Sequence, residues 1–319
     1  MKFLLVAVVS VLSLSGAPSL AQSYPDRAVK LVVPFAPGGI VDVVGRALAR
    51  QLEAQLSRSV FIENRTGAGA QVGTAAVASA QPDGYTLLLV DPSVTTAPTL
   101  QQNAPYQLKQ LRALATVTTA PLMVVVHPSL PVKSLRELIE YSKNAPDGVT
   151  YASAGIGTTP HLAPELLKVQ TGFKATHVPY RGGGASVPDL VSGRVQTAFF
   201  SNATVLPLIN DGRLRAIAQT GTHRLSATPD VPTAVESGYP EFVVELWTAL
   251  FVPVGIPADI EKRLEQEIKN AVESDEFVLA IQRAGVEVSY RNASSAQQFV
   301  QSEYDRWSTL IKAAKITAN

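Results

Sequence analysis

Short apolar runs alternate along the chain with stretches in which apolar residues recur every three or four positions. The first pattern predicts buried strands and the second predicts amphipathic helices. In the first predicted helix, Val41, Val44, Leu48, Leu52 and Leu56 share one face. The predicted strands cover residues 29–35, 60–63, 85–90, 122–127, 151–153, 176–179, 195–200, 214–219 and 247–253. The predicted helices cover residues 39–57, 71–80, 134–144, 159–170, 185–192, 260–272 and 296–314.

This alternation of strands and helices predicts an α/β fold in which mostly parallel sheets are flanked by helices. The 319 residues are enough for two domains. No Pro-, Gly- or Ser-rich linker separates two halves, so we expect the chain to cross between domains through strands, near Pro121 and near Trp247.

The N-terminal segment predicts export. Residues 1–21 contain one Lys, an apolar stretch and then Ser19-Leu20-Ala21. This pattern is typical of a secretory signal peptide that is cleaved near Ala21. The apolar run is shorter than the roughly 20 residues of a membrane span, which argues against a permanent anchor.

Composition excludes several classes of function. The chain has no cysteine, which rules out disulfides, thiolate metal sites and cysteine nucleophiles. Loss of residues 1–21 would remove Lys2 and no acid, which makes acidic and basic residues equal in number. Nucleic-acid binding is therefore not expected. The four histidines show no metal-ligand spacing, so we expect neither a metal nor a cofactor.

Two glycine-containing loops join a predicted strand to a predicted helix. The first is Phe35-Ala-Pro-Gly38-Gly39, and the second is Ser153-Ala-Gly155-Ile-Gly157-Thr158-Thr159. The start of a helix exposes free N–H groups and the positive end of the helix dipole, which favour an anion. If each domain contributes one loop, the two helix starts could hold one carboxylate without an arginine. We expect Asp42 to cap its helix or to bond neighbouring amides.

A third loop, around Asp91, offers the hydroxyl groups of Ser93 and Thr95 in a comparable position after a strand. The stretch Gly67-Ala-Gly69-Ala-Gln-Val-Gly73 superficially resembles a dinucleotide-binding fingerprint. It has one residue too many, and no acidic residue ends a strand about 20 residues later. We interpret it as a glycine-rich turn into a small-residue helix.

An alternative interpretation is an exported serine hydrolase with Ser153 as nucleophile and His161 as its base. Against it, Tyr151 occupies the first glycine position of the G-x-S-x-G nucleophile elbow. The histidine of such enzymes also follows much further along the chain. We therefore expect His161 to anchor its helix.

The chain resembles the TctC/Bug family of periplasmic solute-binding proteins, which serve tripartite tricarboxylate transporters. The resemblance spans nearly all of the chain after residue 21 and is carried by seven segments in the same order. They are YPDRAVKLVVPFAPGGIVDVVGRALA from Tyr24, VFIENRTGAGAQVGTAAVASAQPDGYTLL from Val60, VVVHPSLPVKSLREL from Val124, YASAGIGTTPHLAPELL from Tyr151, HVPYRGGGASVPDLVSGRVQ from His177, DGRLRAIA from Asp211 and DVPTAVESGYP from Asp230.

The resemblance implies a two-lobed Venus-flytrap fold that closes on a small carboxylate and is not an enzyme. It implies a first domain of residues 22–121 and 248–319 and a second domain of residues 122–247. The family binds its carboxylate through the first loop and the Ser-Ala-Gly loop. The positions carried over are Phe35, Ala36, Gly38, Gly39, Asp42, Ser153, Ala154, Gly155, Gly157, Thr158, Thr159 and His161.

Two segments depart from the family pattern. After the strand at 195–200, where relatives commonly have an acidic residue and Asn, this chain has Phe199-Phe200-Ser201-Asn202, and we include Ser201 and Asn202 in the site. The loop at Asp91-Pro92 also differs. More aromatic surface favours an aromatic or apolar carboxylate, whereas Asp91 favours an amino group, and both remain open.

The sequence thus predicts a periplasmic, monomeric receptor for a di- or tricarboxylate, an amino acid or an aromatic acid. Its expected partner is a membrane permease of the tripartite tricarboxylate type. A sensor that reports its ligand to a membrane kinase would share the fold and remains the third alternative.

Overall fold

A computed structural model describes residues 24–101, 103–180 and 182–317. The predicted signal peptide lies outside these residues. The strands are β1 (Val29–Val33), β2 (Val60–Asn64), β3 (Thr86–Val90), β4 (Leu111–Val126), β5 (Val149–Ser153), β6 (Ala175–Pro179), β7 (Thr197–Ser201), β8 (Arg215–Gln219), β9 (Glu245–Pro253) and β10 (Glu287–Arg291). The helices are α1 (Ile40–Leu56), α2 (Gln71–Ala78), α3 (Ser93–Leu100), α4 (Leu135–Asn144), α5 (Thr159–Thr171), α6 (Gly183–Val191), α7 (Asn202–Asn210), α8 (Ala258–Val272), α9 (Asp275–Arg283) and α10 (Ala293–Ala313).

One long strand, β4, takes part in two sheets. Its first part pairs with β9 and β10, and β9 continues the sheet to β3, β1 and β2. Its last part, from Leu122 to Val126, pairs with β7 and β8, and β7 continues the second sheet to β5 and β6. The partners of β4 change between Pro121, opposite Glu245 of β9, and Leu122, opposite Ser201 of β7.

The expectation of mostly parallel sheets needs a correction. The pairings among β1, β2 and β3 and among β5, β6 and β7 are parallel. Every pairing of β4, and that of β3 with β9, is antiparallel. The physical reason is connectivity: β4 leaves the first sheet for the second, and β9 returns, so the two cross-connections run in opposite directions.

Helices cover both faces of each sheet, which explains the uninterrupted apolar strands. In β1, Leu31 and Val33 pack among α1 and α8, whereas Val32 packs on the opposite face. The predicted apolar face of α1 is buried as expected, and Val44, Leu48 and Leu52 are fully buried. A corresponding pair of cores lies on the two faces of the second sheet.

The last helix, α10, contacts the cores of both sheets. Ala296 and Val300 lie in a core of the first sheet, whereas Trp307 and Ile311 lie with Leu122 in a core of the second sheet. The sequence assigned this entire helix to the first domain. None of the helices in the described ranges, including this one, is both long enough and apolar enough to cross a membrane.

The helices α3, α7 and α9, the strand β10 and the first part of β4 were not predicted. Pro98 lies inside α3 and Pro207 inside α7, and prolines usually argue against a helix interior. All five residues of β10 are only half-buried, so this strand lacks a clear apolar signal.

Candidate functional site

The loops that follow β1, β3, β5 and β7 meet in a cleft between the two sheets. Two adjoining cavities of about 300 Å³ each lie there. We call them the polar chamber and the apolar chamber. Both chambers are lined by Phe35, Asp91, Thr158 and Thr159. Ligands of α/β sheets bind beyond the carboxyl ends of strands, and this cleft lies in that position.

The two chambers differ in chemistry. The polar chamber also contains the side chains of Gln71, Ser93, Thr96 and Gln101. The apolar chamber is lined by Leu122, Phe200 and Leu246, together with Gly182, Gly183, Ser201 and Thr204 from the second lobe. Among the described residues, Asp91 is the one charged side chain that lines either chamber.

The N-terminus of α5 points donors at the place where the chambers meet. Pro160 has no N–H, and the N–H groups of His161 and Leu162 both donate to the Thr158 carbonyl. Thr159 therefore carries the N–H at the helix start that remains for a ligand. Combined with the helix dipole, this position favours a carboxylate.

His161 holds the loop before α5 and does not line either chamber. The Gly157 N–H donates to His161 Nδ1 at 2.9 Å, so this nitrogen carries no proton. The ring is buried and stacks on His177, with 4.0 Å between ring centroids. Burial, followed by the neighbouring His177, lowers the pKa of His161 to about 4. The helix-anchoring role expected from the sequence agrees with this arrangement.

Asp42 has a corresponding role in the loop before α1. Its carboxylate accepts the Gly38 N–H at 2.9 Å, an Asn64 amide hydrogen at 2.8 Å and two hydrogen bonds from the Arg46 guanidinium. The side chain is 2% exposed. Burial tends to raise the pKa of Asp42, but the hydrogen bonds from Arg46, Gly38 and Asn64 outweigh it and lower the pKa. Asp42 therefore caps the loop, as expected.

The hydrolase alternative predicted the wrong partner for Ser153. The Ser153 hydroxyl lies 2.6 Å from His177 Nε2, and it also accepts the Gly155 N–H. Ser153 is fully buried and does not line either chamber. A hydroxyl without access to a ligand cannot attack one, so these contacts shape the loop.

Asp91 follows β3 and caps α3. One carboxylate oxygen, Oδ1, accepts the Ser93 N–H at 2.9 Å. Burial raises the pKa of Asp91, and the opposing hydrogen bonds from Ser93 do not restore it. No Lys, Arg or His within the described ranges forms an ion pair with this carboxylate.

A hydrogen bond joins α3 to the loop before α5 across the cleft. Thr96 of α3 donates its hydroxyl hydrogen to the Gly157 carbonyl at 3.2 Å. Leu100, one turn further along α3, packs against Gly157 so closely that a Cβ at this glycine would overlap the Leu100 side chain. The two lobes are therefore in contact beside the polar chamber.

The sixteen residues predicted from the sequence fall into three groups. Those that line a chamber are Phe35, Ser93, Ala154, Gly157, Thr158, Thr159 and Ser201. Gly38 lines a wider opening that shares Ser201 and Thr204 with the apolar chamber. The residues that line none of these three cavities are Ala36, Gly39, Asp42, Thr95, Ser153, Gly155, His161 and Asn202. The two helix starts thus do not face one shared chamber.

Sequence reasoning missed the contribution of the loop before α2. Ala68, Gly69 and Gln71 line the polar chamber, although this stretch was interpreted as a simple turn. The signal was available, because this loop also follows the carboxyl end of a strand, β2. No group of His, Asp or Glu side chains in the described ranges is arranged to hold a metal ion.

Comparisons with known proteins identify the family and the fold of this chain. Residues 44–316 match the model of the tripartite tricarboxylate transporter family receptor, TctC. The chain is 37% identical over 300 residues to protein BugT of Bordetella pertussis, which covers 93% of this chain and 92% of BugT.

Two solved structures are similar over most of their length. The periplasmic binding protein BugD is 33% identical, with a TM-score of 0.77 over 92% of this chain and 99% of BugD. Rpa4515 of R. palustris, solved with adipate, is 30% identical, with a TM-score of 0.80 over 92% of this chain and 99% of Rpa4515. The resemblance and the two-lobed fold expected from the sequence are confirmed. The chain belongs to the TctC/Bug family of periplasmic solute-binding receptors, which bind solutes and are not enzymes.

Proposed function

We propose that this protein captures a small carboxylate between its two lobes in the periplasm and delivers it to a permease of the tripartite tricarboxylate type. The observation that carries the proposal is the position of the α5 start, where Thr158 and Thr159 line both chambers. A relative of this chain has been solved with adipate, which is a dicarboxylate.

The proposed ligand carboxylate accepts the Thr159 N–H and lies on the axis of α5. A partly buried anion at a helix start is stabilised by up to about 2 kcal/mol. His161 supports this interaction because its neutral ring takes the Gly157 N–H without adding a charge. The backbone of the second lobe therefore supplies the electrostatic attraction that an arginine supplies in other carboxylate sites.

Closure of the two lobes makes binding a signal for the permease. In this proposal, residues 22–121 and 248–319 form one lobe and residues 122–247 form the other, after loss of residues 1–21 as a signal peptide. Since the chambers have walls from both lobes, a ligand contacts all of its partners only when the lobes are closed. It therefore shifts the population toward the closed form.

Thermal unfolding with a carboxylate library tests this function. A true ligand at 100 times its Kd adds about 2.7 kcal/mol to the free energy of unfolding and raises the melting temperature. The matched controls are the amides of the same acids, which keep the shape and lose the charge. If amides or neutral sugars stabilise the protein and no carboxylate does, the proposal is wrong.

A further inference from the structure

The polar chamber contains hydrogen-bond acceptors for which the protein offers no donor. Gln71, at the start of α2, is 5% exposed, and its amide oxygen has no hydrogen-bond partner among the described residues. A buried acceptor without a partner costs free energy, so it is expected to meet a donor when the site is filled. Gln71 is one of the residues that line the polar chamber.

Asp91 lies where the two chambers meet, and its capping role uses only part of its carboxylate. Oδ1 accepts the Ser93 N–H, and the hydrogen bonds that other described residues make to this carboxylate come from Ser93 alone. The titratable side chain of Tyr106 lies close enough to Asp91 for that carboxylate to raise its pKa. The Tyr106 hydroxyl donates its hydrogen bond to the Val94 carbonyl and not to Asp91. An asparagine would cap α3 equally well through its oxygen, so capping alone does not require a charge here.

The charges along the cleft are therefore arranged with opposite signs. The start of α5, at Thr159, favours a negative group, and Asp91 favours a positive one, while both residues line both chambers. A dicarboxylate would place its second negative charge near Asp91, where no described Lys, Arg or His lines the chamber to compensate it. A ligand that carries both signs would satisfy both ends.

We propose that the ligand is an amino acid or a similar small carboxylate with a protonated amino group, and that Asp91 and Gln71 bind this ammonium group. This inference rests on the proposed carboxylate-binding function and specifies its ligand class. The ammonium group donates to the Asp91 carboxylate and to the Gln71 amide oxygen. The carboxylate accepts the Thr159 N–H, and the side chain of the ligand extends into the apolar chamber beside Leu122 and Phe200.

Burial raises the pKa of Asp91 when the site holds no cation, and the approach of an ammonium group would oppose that shift. Binding of the ammonium group thus supplies the positive charge that the protein does not place beside the Asp91 carboxylate. We expect the site to discriminate strongly between an amino acid and its analogue without the amino group, because the analogue leaves these buried acceptors unpaired.

Calorimetric titration with matched pairs of ligands tests the inference. Each pair differs only in the amino group: leucine and 4-methylpentanoate, phenylalanine and 3-phenylpropionate, glutamate and glutarate, aspartate and succinate. For the pair that binds, the amino member is expected to bind at least tenfold more tightly to the wild-type protein. Asp91→Asn, which keeps an oxygen for the Ser93 N–H, is expected to reduce this preference to less than threefold.

The control variant is Asp147→Asn, which removes one negative charge from an exposed residue before β5 and is expected to keep the preference. If the wild-type protein binds the members without an amino group equally well or better, the ammonium proposal is wrong and the carboxylate function stands. If neither member of any pair binds, while simple amines do so in a manner that depends on Asp91, the carboxylate function is wrong. Failure of all carboxylates and amines contradicts both proposals. The wild-type comparison alone decides the ligand class if Asp91→Asn does not fold.

Discussion

The loops before α1 and before α5 have the same plan but different electrostatics. In each, a glycine N–H donates to a side chain four residues later, from Gly38 to Asp42 and from Gly157 to His161. Asp42 is a buried anion held by Arg46, whereas His161 is a neutral ring in a stack of aromatic side chains. The neutral acceptor leaves the positive potential of its helix start available, which is why the proposed carboxylate site lies at the second loop.

The largest expected effect comes from removal of the charged acceptor. Asp42→Ala leaves the Gly38 N–H, the Asn64 amide and the Arg46 guanidinium without their shared partner. We expect a loss of about 3 kcal/mol in the free energy of unfolding, because the hydrogen bonds from Gly38 and Asn64 to a buried charged group are both lost. Denaturant titration measures the loss. Asp42→Asn, which retains an acceptor for Gly38, should lose clearly less, and equal losses for the two variants would contradict the assigned role.

The two glycines form a matched pair for mutation. Gly38 and Gly157 have φ values of +84° and +79°, so alanine strains the backbone similarly at both. A Cβ at Gly38 meets no heavy atom within 4 Å, whereas one at Gly157 overlaps Leu100 across the cleft. We expect a stability loss of about 1 kcal/mol in each variant, but only Gly157→Ala should weaken ligand binding, by more than tenfold.

Binding isotherms of both variants with the tightest carboxylate from the library decide this prediction. Gly157→Ala is expected to lose ligand affinity because its added methyl group prevents the two lobes from closing fully. If Gly38→Ala weakens binding as much as Gly157→Ala, the difference assigned to the two loops is wrong.

The two loops should also lose stability in different pH ranges. The pKa of His161 is about 4 in the folded chain and about 6.5 in the unfolded chain, so the unfolded state binds more protons below pH 6.5. The stabilising contribution of the neutral ring is therefore present above pH 6.5 and is lost as pH falls toward 4, by on the order of 3 kcal/mol. His177, whose pKa burial also lowers, adds to this loss.

Asp42 acts in a more acidic range, since its folded pKa lies below the ordinary value of 3.8. Its contribution is present above pH 3.8 and is lost as pH falls further. Denaturant titrations between pH 7 and 3 measure both ranges. His161→Ala should flatten the slope between pH 6.5 and 4 relative to the wild-type protein. If the free energy of unfolding of His161→Ala kept the wild-type slope against pH, His161 would not be the neutral acceptor described above.

The smallest expected effect concerns the hydrogen bond across the cleft. Thr96→Val keeps the shape of the side chain and removes its donor to the Gly157 carbonyl. The net contribution of one hydrogen bond is about 1 kcal/mol, so the Kd for ligand should rise about fivefold with little change in the stability of the free protein. Thr309→Val, which removes a hydroxyl that bonds within α10, is the control. Equal Kd values for Thr96→Val and wild type would show that this bond does not stabilise closure.

The contrast between the loops also shows what the sequence could reveal. Glycines after an apolar run identified both junctions, and the apolar face of α1 was predicted residue by residue. The sequence predicted that Asp42 would bond a neighbouring amide, but it did not show that the α1 start would lie outside both chambers. It also failed to place Gln71, because a chamber wall formed by three separate loops has no local pattern.

Contacts distant in sequence account for the remaining errors. Ser153 was paired with His161, which lies nearby in sequence, but the side chain that reaches it is His177, brought alongside by the parallel pairing of β5 with β6. Similarly, periodicity predicted the buried face of α10, but it did not show that Val300 would lie in a core of the first sheet while Trp307 and Ile311 lie in a core of the second. Periodicity identifies the buried face of such a helix but not the lobes on which it packs.

The position of the ligand carboxylate is the most direct test of this account. A crystal structure of the protein with its tightest carboxylate from the library would show it. We predict that the carboxylate lies between the lobes and accepts the Thr159 N–H at the start of α5. A carboxylate bound at Gly38 and Gly39, or outside the two chambers, would contradict the account.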